Sequence, residues 1–353
     1  MDGHSGQADP RIFLDTGAFS SMRERLFARS WQWMGDLEAL SAPGSFEASL
    51  LLPGLLDEPI LAWRGTDGTL RTFLNACSHR GHAVGAGRGC ASKLACPYHA
   101  RRFDANGKCL GQPFVESAGF PGDGDALRKF PSHESAPWWF AAVDPGWNVG
   151  DWLEPFLARC GHLPLADMRR DDARVSEYVV DASWILYVDN YLEGLHIPFL
   201  HGGLDATLAF ERYRYATFAR STLQIGVAAE GEPAFDPPEG HPDHGLRVAA
   251  WWWWLWPNLM LNVYPWGVSV NVVIPESPTR TRIRFIPYMF PGCVRGGGAG
   301  GDLHRVEMED EAAILSVQRG IASRLWRPRP HLPVHEDGLA RFHALLGDVL
   351  GTT

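Results

Sequence analysis

The sequence lacks any apolar run long enough for a membrane helix, which needs roughly 18 residues. Its longest, Val248 to Trp256, stops at Pro257-Asn258, so no membrane partner is expected. Basic residues are not in excess: 32 Lys and Arg stand against 41 Asp and Glu, a net charge of −9. That balance argues against nucleic acid as a partner. The opening MDGHSGQADP has neither a basic n-region nor an apolar core, and no secretory leader is expected. Cysteine is scarce, six in 353 residues, with no disulfide pattern; thiols kept reduced as ligands point to the cytoplasm. No G-x-G-x-x-G follows a strand and opens a helix, so the glycine run 296–301 and the segment 237–242 read as flexible surface connectors rather than phosphate cradles. No internal repeat is visible. Composition is that of an ordinary globular protein, 21% charged and 45% hydrophobic, with length enough for two domains.

What cysteine there is carries the strongest signal. A Cys-x-His pair (Cys77, His79) is followed after sixteen residues by a Cys-x2-His pair (Cys96, His99). Two thiolates and two imidazoles on two loops suit a two-iron cluster with one Cys-ligated and one His-ligated iron. Neutral imidazoles leave less negative charge on the metal and raise the reduction potential, which is the Rieske [2Fe–2S] arrangement. A structural zinc site uses the same ligand types, but its common modules space the first pair as C-x2–4-C and do not mix Cys with His in both halves. Cys90, Cys109, Cys160 and Cys293 form no second metal spacing, and Cys90 and Cys109 read as buried small residues.

Around this motif the pattern is short, alternating segments broken by Gly and Pro. Ile60 to Trp63, a Gly65-Thr66-Asp67-Gly68 turn and Leu70 to Leu74 predict a hairpin leading into Cys77. The cluster ligands are therefore expected at loop tips of a small all-β domain. Upstream, a helical pattern begins near Phe13 and runs toward Leu40, capped around Ser20-Ser21. Downstream, a helix is expected over about 183–199. A hairpin about Pro275-Glu276-Ser277-Pro278 follows, then helices over about 305–324 and 336–350.

A second metal site is suggested by Glu193, His196 and His201. Two histidines and a carboxylate on one side of an iron leave positions open for O2 and substrate. On a continuous helix His196 and His201 would point about 140° apart; Pro198 between them breaks the ladder and allows both rings to reach one metal. Glu193, three before His196, would share its helical face. The third ligand must come from elsewhere. The acidic stretch Glu307-Met308-Glu309-Asp310-Glu311 offers several candidates, which spacing alone does not separate, and by itself it reads as a solvated helix face. Asn190, near the helix start, is a candidate for a contact that orients a ligand. A one-electron cluster needs an acceptor, and this strengthens the case for the second site.

The cluster motif, the E-x2-H-x4-H segment and a late D-x7-Q-R-G helix occur in an order that resembles the α subunit of Rieske non-heme iron oxygenases, over nearly the whole chain. The resemblance implies that Asp310, eight before Gln318, is the carboxylate ligand. It also implies an α+β molecule: a small all-β Rieske domain plus a START-like helix-grip catalytic domain with an antiparallel sheet. In those terms residues 1–44 are a helical segment packing on the catalytic domain, 45–150 the Rieske domain and 151–353 the catalytic domain. Head-to-tail trimers are implied, in which an acidic residue bridges the cluster of one subunit to the iron of the next. Electrons would pass through His99, Glu193 and His196. Glu193 stands where Asp is usual; that, with D-N-Y-L-E-G and W-P-N-L-M-x-N (Trp256 to Asn262), is similar to choline- and carnitine-type monooxygenases. Two positions depart from the pattern. Ala100-Arg101 replaces the usual Gly-Trp after His99, and Leu315 stands where a Glu is common.

The implied reaction uses O2 to hydroxylate or demethylate a small organic substrate. With no flavin, nicotinamide or plant-type ferredoxin motif, the electrons must come from a separate NAD(P)H-dependent reductase or ferredoxin. The run Trp251 to Trp254, with Tyr264 and Trp266, permits either an aromatic cage for a quaternary or N-methylated amine or stacking of a neutral aromatic. Strand alternation would put Trp251 and Trp253 on one face and Trp252 and Trp254 on the other, where simple core packing is the alternative use. From a different class, the chain could be a Rieske electron carrier joined to a non-catalytic ligand-binding domain.

Overall fold

The computed structural model describes residues 13–351; the leader expectation for the first ten residues lies outside them. Contacts divide the chain into two compact units, residues 28–146 and residues 1–27 with 147–353. Among the described residues no helix is long and apolar enough to cross a membrane.

The 28–146 unit is built from antiparallel strands. The five-stranded sheet runs in the order Arg88–Cys90, Ser45–Leu51, Glu58–Arg64, Leu70–Leu74, Lys129–Phe130. The expected hairpin is present, with Ile60 opposite Leu74 and Arg64 opposite Leu70. Its turn closes through Gly65 N–H to Thr69 O, and Gly68 sits at φ +77, where glycine is unstrained. A second small sheet, Lys93–Ala95, Arg102–Asp104 and Cys109–Gly111, carries the other ligand loop. Trp63, Phe73 and Phe103 are fully buried and pack with Cys77, Cys96 and Cys109. Cys90, expected to be buried, is exposed at the sheet edge. The helical pattern read from Phe13 toward Leu40 stops at Arg25. Its N-cap is Asp15, which accepts from Ala18 N–H, rather than the Ser20-Ser21 region. Beyond it Gln32–Asp36 is a strand paired with Trp138–Ala141, so residues 28–44 group with this β unit.

The larger unit is an eight-stranded antiparallel sheet, ordered 169–170, 280–289, 267–277, 259–264, 248–255, 221–227, 214–217, with Ser176–Val180 also paired to Arg280–Met289. The middle strands Val248–Leu255 and Leu259–Tyr264 are buried along their whole length, because both faces are covered. Period-2 alternation divides the tryptophans. Trp253 packs edge-on to Phe156 of the helix Val149–Cys160. On the other face Trp254 meets Phe342 of the helix Asp337–Leu350, while Trp252 turns into a cavity. The predicted late hairpin turns at Pro278-Thr279, two residues later than read, since Pro275 still pairs with Thr281.

Candidate metal centres and substrate cavity

The helix Trp184–Tyr191 starts where Ser183 Oγ accepts from Ile185 N–H and ends at Leu192. The continuous helix expected to residue 199 is therefore interrupted. Residues 192–196 form a turn, and a new short helix, Ile197–Leu200, begins after His196. Pro198 does not break a helix here. It occupies the first turn of one, where its missing N–H costs nothing. Glu193 correspondingly lies off the helix, and its reach to His196 is direct rather than along a helical face. Its Oε2 accepts from Leu195 N–H and its Oε1 meets His196 Nδ1, each at 2.5 Å.

Across from this turn runs the helix Leu303–Ile321. Its Asp310 Oδ1 lies 2.9 Å from His201 Nε2 and 3.7 Å from His196 Nε2. The three residues present ligand atoms all within 4.8 Å of one another, and they form the one such group of potential metal ligands among the described residues. Asn190 Nδ2 donates to the same Asp310 oxygen at 2.7 Å; it does so from the end of the helix Trp184–Tyr191, not from near the helix start where the sequence pattern places it. Two imidazole nitrogens and one carboxylate oxygen fit an iron(II) held on one side.

Glu309, one of the ligand candidates of the acidic stretch, instead holds a candidate ligand from behind. Its Oε2 takes the Nδ1 of His201 at 2.8 Å, while Arg305 Nε donates to its other oxygen at 2.9 Å. Each histidine thus has its Nδ1 held by a glutamate and its Nε2 aimed at Asp310. A carboxylate on the far nitrogen fixes the tautomer and orientation of a ligating imidazole. The His201 hydrogen bond, followed by Arg305, draws the Glu309 carboxyl below its ordinary range. Burial works to lower His201, but Asp310 and Glu309 outweigh it and raise the imidazole.

A cavity of about 100 Å³ opens beside the three candidate ligands. Trp252, Tyr213 and Tyr264 form one wall: Tyr213 stacks on Trp252 at 5.8 Å, and Tyr264 meets Trp252 edge-on at 6.4 Å. Gly194 lets the Glu193 turn lie against Tyr213, since a Cβ there would stand 3.0 Å from the ring. The glycine run 296–301 is no free connector. Ala299 lines the cavity, and a Cβ on Gly300 would fall 2.4 Å from Trp266 Nε1. The lining holds three carboxyls (Glu193, Glu307, Asp310) and no Lys or Arg among the described residues. Glu307 is 3% exposed; it accepts from Tyr187 O–H at 2.7 Å through Oε2, and its Oε1 has no partner among the described residues. Burial pushes its pKa up to about 8.

In the β unit Cys77 and Cys96 are buried, while His79 is exposed and His99 half-buried, with ring centroids 4.7 Å apart. Backbone bonds shape each ligand loop: Gly81 N–H to Cys77 O at 2.8 Å, and Ala100 N–H to Cys96 O at 2.9 Å. Ala100 stands at φ +55, where a glycine would be unstrained. Sulfurs inside and imidazoles at the rim suit a two-iron cluster. The four side chains do not converge as the ligands of a single zinc ion would.

An all-β cluster unit and an antiparallel sheet gripped by helices around a two-His, one-carboxylate group define a Rieske-type oxygenase. The chain belongs to the ring hydroxylating alpha subunit family, whose catalytic domain matches residues 165–352; a Rieske [2Fe-2S] domain matches residues 32–131. It is an α+β oxidoreductase that uses a Rieske [2Fe–2S] cluster and a mononuclear iron. It is similar to the carnitine monooxygenase oxygenase subunit of Escherichia coli strain K12, 29% identical over 96% of this chain and 92% of that protein. Chloroplastic choline monooxygenase of Arabidopsis thaliana is 25% identical, covering 95% and 80%. A crystal structure of the quaternary ammonium Rieske monooxygenase CntA superposes with a TM-score of 0.77 at 25% identity, covering 97% and 95%. Naphthalene 1,2-dioxygenase from Rhodococcus sp. shares the fold, with a TM-score of 0.70 at 18% identity and coverage of 98% and 94%.

Proposed function

We propose that this chain is the terminal oxygenase of a multi-component system that oxidises a quaternary or N-methylated amine beside its nitrogen. The observation that carries this reading is the cavity wall. Trp252, Tyr213 and Tyr264 line the cavity together with His196, His201 and Asp310, in a lining with three carboxyls and no Lys or Arg among the described residues. Aromatic faces attract a desolvated cation by about 2 kcal/mol each, and the carboxyls supply the counter-charge. A neutral aromatic gains the stacking but has no use for the acids. Both the bacterial and the plant relatives are named for quaternary ammonium substrates, carnitine and choline.

In this reading Cys77, His79, Cys96 and His99 hold the cluster, and His196, His201 and Asp310 hold the mononuclear iron. When bound, the iron supplies O2 activation. The rest falls to side chains. Glu193 and Glu309 hold the two imidazoles by Nδ1, Asn190 steadies Asp310, and the buried aromatic wall keeps water from the reacting carbon. In the net reaction a C–H bond next to nitrogen becomes C–OH, and the other oxygen atom leaves as water with two electrons and two protons. The resulting carbinol expels the amine and becomes a carbonyl. Electrons come from a separate reductase or ferredoxin. Glu193, in contact with His196, carries them from the His99 side of another copy in a head-to-tail trimer. We assign residues 28–146 to the cluster domain and the residues from 147 onward, with the helix Thr16–Arg25, to the catalytic domain.

A substrate panel with reductase supplied, scored by O2 uptake and product mass, tests the reading. A quaternary amine is expected to give stoichiometric O2 uptake and an amine plus a carbonyl product. Turnover of a neutral aromatic with no response to any quaternary amine would overturn the substrate assignment.

A further inference from the structure

Arg101 lies two residues beyond His99 and is buried, its side chain 9% exposed. Its Nη1 donates to Asp125 Oδ1 at 2.9 Å and to Ser78 Oγ at 3.0 Å. Its Nε donates to Gln112 Oε1 at 3.1 Å, and the guanidinium lies over the Phe120 ring at 4.9 Å. Ser78, the residue between Cys77 and His79, donates its own hydroxyl to the main-chain oxygen of Asp125 at 2.6 Å. On the opposite loop, Cys96 N–H donates to Arg101 O at 2.8 Å. One ion pair is therefore fastened to both candidate ligand loops, through Ser78 on one side and through its own backbone on the other.

The placement has an electrostatic consequence as well as a mechanical one. Charges sheltered from water are screened little by salt. The potential of an iron–sulfur centre follows the net charge and hydrogen bonds around it. A buried cation such as Arg101 favours the form that has gained an electron, and a half-buried anion such as Asp125 opposes it. Arg101 and Asp125 thus act on the cluster with opposite signs from nearly the same place.

We propose that the Arg101–Asp125 pair sets the reduction potential of the [2Fe–2S] cluster, Arg101 raising it and Asp125 lowering it, while their joint hydrogen bonds hold the two ligand loops together. This rests on Cys77, His79, Cys96 and His99 being the cluster ligands. Arg101 is a positioning and tuning residue in this account, not a catalytic one. A purely packing role would damage the site in the same direction whichever partner was replaced. A charge role makes the two replacements move the potential apart.

The test is a redox titration of the cluster absorbance and EPR signal in full-length holoenzyme, comparing wild type with R101Q, R101K, D125N and the double variant R101Q/D125N. R101Q leaves Asp125 uncompensated, and its midpoint potential is expected below wild type. D125N leaves the guanidinium uncompensated, and its midpoint is expected above wild type. The double variant should fall between the two singles, and R101K, which keeps the charge, should stay nearer wild type than R101Q. Shifts of the same sign in R101Q and D125N, or no shift in either, would overturn the proposal. Should R101Q fail to load iron, D125N decides: a midpoint at or below wild type refutes the assignment. Wild-type protein without a cluster spectrum would instead bring down the ligand reading on which the proposal stands.

Discussion

Replacing Glu307 by glutamine (E307Q) exchanges a fully buried carboxyl for a neutral amide of nearly the same shape. Burial raises Glu307 to about 8 from the ordinary 4.5; the Tyr187 hydroxyl works against this, and the neighbouring Asp310 and Glu311 add to it. The unfolded chain ionises at this group near 4.5 and the folded chain near 8. Between those values the folded state holds a proton that the unfolded state has lost. Stability therefore falls as pH rises through the window, by about 1.4 kcal/mol per pH unit, and the loss levels off above pH 8. At pH 7 the cost is about 3 kcal/mol on this arithmetic. E307Q carries no such proton. Urea denaturation of iron-free wild type and E307Q, followed by tryptophan fluorescence in steps across the window, should show the variant gaining on wild type as pH rises. Iron is removed because a dication beside Asp310 would favour the ionised carboxyl. Infrared difference spectra should also show a protonated carboxyl band at neutral pH that E307Q lacks. A stability gap that is constant with pH would refute the reasoning.

The hydrogen bond from His201 Nδ1 to Glu309 predicts that E309Q retains the cluster spectrum but holds mononuclear iron roughly 10- to 100-fold more weakly, measured by chelator competition; D310A should lose that iron altogether. E193Q should keep both metal centres and lose substrate oxidation in single turnover from a pre-reduced cluster; wild-type rates would remove Glu193 from the relay. W252L takes away one cation–π face worth up to about 2 kcal/mol, so KM for a quaternary amine should rise by roughly 10- to 30-fold, with smaller change for a neutral amine of the same shape.

The parts legible in the sequence were those set by local spacing. Cys77, His79, Cys96 and His99 announce themselves within one stretch, and the hairpin before them follows from alternation and a Gly-bearing turn. His196 and His201 were also visible, but their path was misread. Pro198 starts a short helix rather than breaking a long one, and the break falls at Leu192 to His196. Glu309 and Glu307 were hidden for a different reason. An E-M-E-D-E run looks like a solvated face, and the contacts that give it meaning reach residues more than a hundred positions away. The helical phase did hold a signal. Leu303, Glu307, Asp310, Ile314, Gln318 and Ile321 recur at intervals of three and four, the period of a buried stripe. Two acids in phase with Ile314 and Ile321 are acids turned inward.

That stripe makes the helix Leu303–Ile321 the element that sets both the metal and the charge of the cavity. Gln318 locks its far end, accepting from Ser183 N–H and donating to Asp181 O, which fixes the register of this helix on the start of the helix Trp184–Tyr191. With the register fixed there, Asp310 falls opposite His196 and His201, and Glu307, three residues earlier and hence one turn away, falls on Tyr187. The same lock therefore positions the candidate metal ligand Asp310 and, one turn away, an acid whose pKa burial pushes up to about 8 in the iron-free chain. On the proposed quaternary-amine reading, a cation between the Trp252 wall and Glu307 would supply the charge that burial denies the carboxylate, coupling substrate binding to proton release at Glu307. The aromatic wall then provides affinity that is indifferent to pH. On the same reading Glu307 provides a preference for cations that strengthens as pH rises and its carboxyl ionises.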